Sequence, residues 1–130
     1  YILRTWLRHR AQDGTWSALD VDTVIAPALR AMHDRVGHPW TVSELAAVSG
    51  LSRAAFARRF TASVGRPPLA YLTDVRLAKA AKLLRQTDDS IARIAEAVGY
   101  GSQIALTRAF RREEGVTPGY YRALRSRSPF

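Results

Sequence analysis

The sequence predicts an all-α protein: two helix-turn-helix subdomains joined by a long connecting helix, with an N-terminal helical extension. Three observations carry this expectation. Thr41 to Gly65, TVSELAAVSGLSRAAFARRFTASVG, reads as two short helices around a glycine turn. Ile94 to Tyr121 repeats the pattern. Between the copies, Leu69, Leu72, Val75, Leu77, Ala78, Ala81 and Leu84 form one long apolar stripe at helical spacing.

From the N-terminus, Tyr1 to Arg10 reads as a short amphipathic helix, with Ile2, Leu3, Trp6 and Leu7 on one side and Arg4, Arg8 and Arg10 elsewhere. Two readings stand open for it: part of the dimerisation surface of a preceding domain, or a helix docked on this domain's own core. Trp16 also lies outside the repeats, and Gln12 to Ser17, with Asp13-Gly14, reads as a turn or linker. Asp20 to Val36 follows as a helix that Asp20 or Asp22 can cap, with a stripe of Val24, Ile25, Ala28, Leu29 and Met32. Pro27 allows a later start near Ala26, with the proline in the first turn. Gly37-His38-Pro39 stops it.

Within the first repeat, Thr41-Val42-Ser43-Glu44 is a capping box: the threonine hydroxyl accepts from the amide three residues on, and Glu44 reaches back to the cap. Val42, Leu45, Ala46 and Val48 supply the buried stripe of that helix. Gly50 ends it where positive φ is needed, Leu51 fills the corner, and Ser52 caps the second helix. Along that second helix, Phe56, Phe60 and Val64 fall on one side, and Ala54, Arg58 and Thr61 on the other.

Two amphipathic helices around a glycine are a weak signal alone; the second copy makes it a strong one. Leu45-Ala46 corresponds to Ile94-Ala95 and Gly50 to Gly99, a shift of 49. After one extra residue the shift is 50, pairing Phe56 with Leu106, Arg58 with Arg108, Phe60 with Phe110, Gly65 with Gly115, Pro68 with Pro118 and Tyr71 with Tyr121. The stripe between the copies makes a connecting helix roughly 24 Å long at 1.5 Å per residue. In the second copy Ser90 stands in the place of Thr41, but Arg93 replaces Glu44, so the reciprocal half of the box is lost. Ser102 caps a helix over Gln103 to Glu114, and Thr117 caps a last one with Pro118 at its first position. Tyr120, Tyr121 and Leu124 are expected to close the core, with Arg122, Arg125 and Arg127 in or after that helix.

The 130 residues suffice for one compact domain and a short extension. Twenty Lys and Arg against 11 Asp and Glu give a formal charge of +9, which points to a polyanionic partner; a merely solvated basic surface is the plainer alternative. The absence of cysteine excludes disulfides and thiolate chemistry, and no apolar run approaches a membrane span. Position 1 is not Met, and the chain is expected to be part of a longer protein.

Taken together, GLSRAAFARRF in the first unit, GYGSQIALTRAF in the second and the closing GVTPGYYR resemble the DNA-binding domain of the AraC/XylS family of bacterial transcription regulators. The match runs from about Pro39 to Arg125, with both units, the connecting helix and the closing segment in the right order. The preceding ALDVDTVIAPALRAMHDRVGHPW resembles, more loosely, the linker of members carrying an N-terminal cupin-type regulatory domain. On that resemblance, residues 1–18 are a remnant of the regulatory domain and linker, 19–38 a linker helix, 39–126 the double helix-turn-helix domain and 127–130 a loose tail.

The resemblance implies that each second helix lies in the major groove of double-stranded DNA, in successive groove segments. Family base-reading positions fall on Arg53, Ala54, Ala57 and Arg58 in the first unit and on Gln103, Ile104, Thr107 and Arg108 in the second. Arg58 and Arg108 suit guanine and Gln103 suits adenine, each bidentate contact giving about 1–3 kcal/mol of discrimination. Ala54, Ala57 and Ile104 offer only apolar contact, of the kind a thymine methyl takes, so shape readout or phosphate anchoring is expected to carry more of the first unit's share. Expected phosphate contacts are Arg59, Arg66, Arg111 and Arg112, with the helix caps Thr41, Ser52, Ser90 and Ser102. For each arginine the alternative is a surface charge or a local ion pair, such as Arg112 with Glu113 or Arg76 with Asp74. RNA polymerase is a further candidate partner; the fragment is expected to be monomeric, the whole protein dimeric and cytoplasmic.

Two rival readings compete with this one. An enzyme is disfavoured: His9, His33 and His38 lack metal-ligand spacing, no Gly-rich phosphate loop occurs, and no cofactor is implied. DNA-repair methyl-acceptor proteins carry a similar domain, but their chemistry needs a cysteine nucleophile that this chain lacks. The other rival is a helical protein-interaction module whose basic face meets an acidic partner.

Overall fold

The computed structural model describes residues 22–125, and the regular secondary structure within them is all helical. The expected helix over Tyr1 to Arg10, the linker at Gln12 to Ser17, a cap at Asp20 and the tail at 127–130 lie outside the described residues. Seven helices follow in order: α1 Ala26–Asp34, α2 Val42–Val48, α3 Arg53–Val64, α4 Pro68–Gln86, α5 Ile91–Ala97, α6 Gln103–Glu114 and α7 Pro118–Arg125. They divide into two compact units that meet within α4, one ending at Val75 and the other beginning at Arg76.

In the first unit, α1 starts at Ala26 with Pro27 in its first turn, where the missing amide hydrogen costs nothing. Ile25, Ala28, Leu29 and Met32 are buried with Leu45, Phe56, Phe60, Tyr71 and Leu72, so the segment expected as a linker helix belongs to the core of this unit. Asp22 does not cap the helix; its carboxylate accepts from the Val24 amide at 2.9 Å, in the turn before α1. Phe60 stands between Phe56 and Tyr71, with ring centroids 5.5 and 5.6 Å away. Tilted and edge-on contacts of this sort add to the apolar burial. Val48, expected in the stripe of α2, is 44% exposed, as is Leu69 near the start of α4.

The second unit is built on the same plan. Leu77, Ala80, Ala81 and Leu84 of α4 pack with Ile94, Ala95, Val98, Leu106, Ala109 and Phe110, and Tyr121 leans on Phe110 at 5.4 Å. The turns of the two units correspond bond for bond: the Leu51 amide donates to the Ala46 carbonyl at 3.0 Å, and the Tyr100 amide to the Ala95 carbonyl at 2.9 Å. Both turns pass through a glycine at positive φ, 69° at Gly50 and 96° at Gly99, a conformation that a Cβ disfavours. In α7, Tyr121 is half-buried, whereas Tyr120 and Leu124 point to solvent and do not close the core.

One part-buried titratable contact is expected to make the first unit sensitive to acid. His33 Nε2 lies 2.8 Å from the Tyr71 hydroxyl, and burial holds its imidazole below the ordinary value despite the opposing charge of Asp34. A depressed folded-state value means that the stabilisation is complete above the unfolded value and is lost as pH falls from there through the folded value. We expect the melting temperature to drop between about pH 7 and pH 5, and His33→Gln to shrink that drop; an equal drop in both proteins would locate the effect elsewhere. Asp22, held low mainly by the Val24 amide, and Glu44, held low mainly by His38, titrate below this window.

Candidate nucleic-acid interface

Each unit presents its second helix, α3 or α6, with one face in the core and one face in solvent. Phe56, Phe60 and Val64 anchor α3; Leu106, Ala109 and Phe110 anchor α6. Their N-termini are set by serine caps, with Ser52 Oγ accepting from the Ala55 amide at 3.2 Å and Ser102 Oγ from the Ala105 amide at 3.1 Å. A cap at the same place in both units starts both helices in the same register, so equivalent residues face outward.

On α3 the structure exposes Arg53, Ala54 and Arg58 and half-buries Ala57. On α6 it exposes Gln103, Ile104 and Arg108, and Thr107 is half-buried. Ser102, Gln103, Ile104, Thr107 and Arg108 line one shallow, open concavity. Neither Arg58 nor Arg108 makes an ion pair among the described residues, so both guanidinium groups are open to an outside acceptor. Arg111 is likewise exposed, and Arg112 is held loosely, 3.6 Å from Glu113.

Three residues expected at phosphates are engaged by carboxylates of their own unit. Arg59 donates to Asp22 through Nε and Nη2, at 2.9 and 3.1 Å. Arg66 donates from Nη1 to both oxygens of Asp74, at 3.0 and 2.9 Å, and Asp74 is buried. Thr41 completes the capping box and also donates its hydroxyl hydrogen to Glu44 at 3.2 Å, which puts an anion at that helix N-terminus already. Held by these internal contacts, Thr41, Arg59 and Arg66 are less available to a phosphate than Arg111 is. Ser52, Ser90 and Ser102 accept from their own helices and donate to no group among the described residues. Arg76 lies over the Tyr100 ring at 5.9 Å.

Sequence reasoning left two arginines without a role. Arg122 donates to the carbonyls of Leu84, Thr87 and Asp89, at 3.2, 3.1 and 2.6 Å. Arg125 donates to those of Leu84 and Thr87 and to the Asp88 carboxylate. Together they satisfy the C-terminus of α4, whose last carbonyls have no partner within the helix. These cations belong to the frame of the second unit. The partners lie more than thirty residues upstream, so no local pattern signals the contact.

Paired helix-turn-helix units, each carrying an exposed helix with an unpaired arginine at the same position, define a DNA-binding protein of the helix-turn-helix class. Residues 45–124 match the family model of a helix-turn-helix domain. An AraC-like transcription regulator of Streptomyces antibioticus is 45% identical over 124 residues, covering 94% of this chain and 41% of its own length. The solved DNA-binding domain of AdpA, a global transcriptional factor in complex with a target DNA, is 34% identical with a TM-score of 0.78, covering 83% of this chain and 98% of that one. A regulator from Chromobacterium violaceum with an AraC-type DNA-binding domain is 30% identical with a TM-score of 0.75, covering 82% of this chain and 95% of that one. The chain belongs to the AraC-type family of DNA-binding domains. It spans about two fifths of the length of the curated relatives it matches. No helix among the described residues is long and apolar enough to cross a membrane, and they hold no cluster of metal-ligating side chains.

Proposed function

We propose that this domain recognises a specific duplex sequence by placing α3 and α6 in successive major-groove segments, and that the whole protein is a bacterial transcription regulator. The observation that carries the reading is the pair Arg58 and Arg108: equivalent in the repeat, exposed, and without an ion pair among the described residues. A guanidinium left open at a helix surface suits the O6 and N7 acceptors of guanine. Arg53, Ala54 and Ala57 accompany Arg58, and Gln103, Ile104 and Thr107 accompany Arg108. Ser52, Ser90, Ser102, Arg111 and Arg112 hold the flanking phosphates. The first unit, with Ala54 and Ala57 at its reading face, contributes more through groove shape than through base edges. The regulator works in the cytoplasm as a dimer formed through a part outside this chain, with RNA polymerase among its partners, and the isolated domain is a monomer.

Selection of binding sites from random duplex DNA at near-physiological salt tests this. An asymmetric motif spanning two adjacent groove segments, about one helical turn apart, is the expected result. Binding without enrichment, fading uniformly with salt, would mean charge attraction alone. No binding would favour a protein-interaction module. On the selected site, Arg108→Ala is expected to cut discrimination at one base pair by about 5- to 150-fold, the equivalent of 1–3 kcal/mol. Helix content by circular dichroism is expected to be unchanged; an undiminished preference across a panel of base substitutions would remove Arg108 from the reading set.

A further inference from the structure

We infer that α6 reads the C5 methyl group of a pyrimidine beside the base pair engaged by Arg108, and that Ile104 is the side chain that reads it. The inference rests on the proposed groove placement of α6. Ile104 is 64% exposed, more than any other large apolar side chain among the described residues. Its position, second in α6, is outside the core that Leu106, Ala109 and Phe110 anchor, so the fold makes no use of its branched side chain. An isoleucine left in water gains nothing until a partner covers it.

The surroundings identify the partner as duplex DNA. Ile104 shares its concavity with Gln103, Thr107 and Arg108, whose polar groups match base edges, and Arg111 adds positive charge one turn further on. Ile104 and Arg108 are four residues apart, which places them side by side on the helix, about 6 Å between Cβ atoms. That separation lets one side chain engage a guanine while the other meets a neighbouring base pair. In the major groove, the C5 methyl of thymine is the apolar feature of the base edges. 5-Methylcytosine carries the same methyl at the same place, so α6 would respond to cytosine methylation as well. The repeat supplies an internal contrast: the equivalent of Ile104 in α3 is Ala54, whose single methyl reaches less far.

The test takes the duplex chosen by the selection and replaces each thymine in turn by deoxyuridine, which removes the methyl and leaves every hydrogen-bonding group in place. Wild-type protein is expected to lose about fourfold in affinity at one position, the worth of one buried methyl. Ile104→Ala is expected to bind the two duplexes equally, and Ile104→Val to fall between. With cytosine at that position, methylation at C5 is expected to restore about fourfold to the wild type and nothing to Ile104→Ala. If no deoxyuridine substitution weakens wild-type binding, or if Ile104→Ala responds as the wild type does, the methyl reading is overturned. In that event a base preference still lost in Arg108→Ala would leave the proposed function standing. A selection that enriches nothing would overturn both.

Discussion

Replacing Arg66 by alanine is expected to destabilise the first unit by about 3–5 kcal/mol, because it removes the guanidinium that binds both oxygens of a buried carboxylate. Asp74 is fully inside the unit, with its side chain 1% exposed, and Arg66 Nη1 reaches both of its oxygens. The arginine follows Gly65, the left-handed residue that ends α3, so the helix terminus aims the guanidinium at α4. Attraction between buried charges is offset by the cost of taking them out of water, so the pair as a whole stabilises little; loss of one partner is what costs. The double variant Arg66→Ala with Asp74→Leu is therefore expected to recover much of the loss. Denaturant unfolding followed by circular dichroism measures this through the midpoint, with the slope checking that the transition is unchanged in kind. Arg66→Ala with unaltered stability but weaker DNA binding and a shallower salt dependence would restore Arg66 to the phosphate contacts.

Phe110→Ala is expected to cost about 3–5 kcal/mol in the second unit. The ring is completely buried among Leu77, Leu84, Ile94 and Leu106 and meets Tyr121 edge-on. Truncation leaves a cavity that close-packed neighbours fill only in part, and it removes the aromatic contact as well. Arg108 stands two residues earlier on the same helix, so a loosened α6 also loses its reading geometry. Hydrogen exchange of α6 amides together with the denaturation midpoint checks the effect; Phe110→Leu is expected to be milder, since it keeps much of the volume. A loss below about 1 kcal/mol would show that this ring does not hold α6 in place.

The local signals in the chain translated directly into structure. Thr41, Ser52, Ser90 and Ser102 cap the helices they were expected to cap, because a cap bond spans only three residues and its geometry follows from residue type. Gly50 and Gly99 turn where the repeat places them, and Phe56, Phe60, Leu106 and Phe110 are buried because a 3.6-residue period leaves them one side to face. The helix surfaces proposed to meet DNA were legible for the same reason.

Longer-range matters were not. Val48, Leu69, Tyr120 and Leu124 fit an apolar stripe, yet they are exposed: periodicity identifies the apolar side of a helix but not how far its neighbours extend over it. The apolar stripe of α1 was legible, but only the structure shows that Ile25 and Met32 pack into the core of the first unit. Arginines divided least predictably, since every arginine presents the same donors and only the surrounding fold decides what they meet. Arg59 found Asp22, Arg66 found Asp74, and Arg122 found carbonyls at the end of α4, while Arg58 and Arg108 found no carboxylate among the described residues. The sequence by itself determined the helices, their caps, the repeat and the outward faces of α3 and α6, all set by interactions within a few residues. Only the tertiary structure decided which cations are bound internally and which remain open, because those pairings depend on residues brought together from 8 to more than 30 positions away.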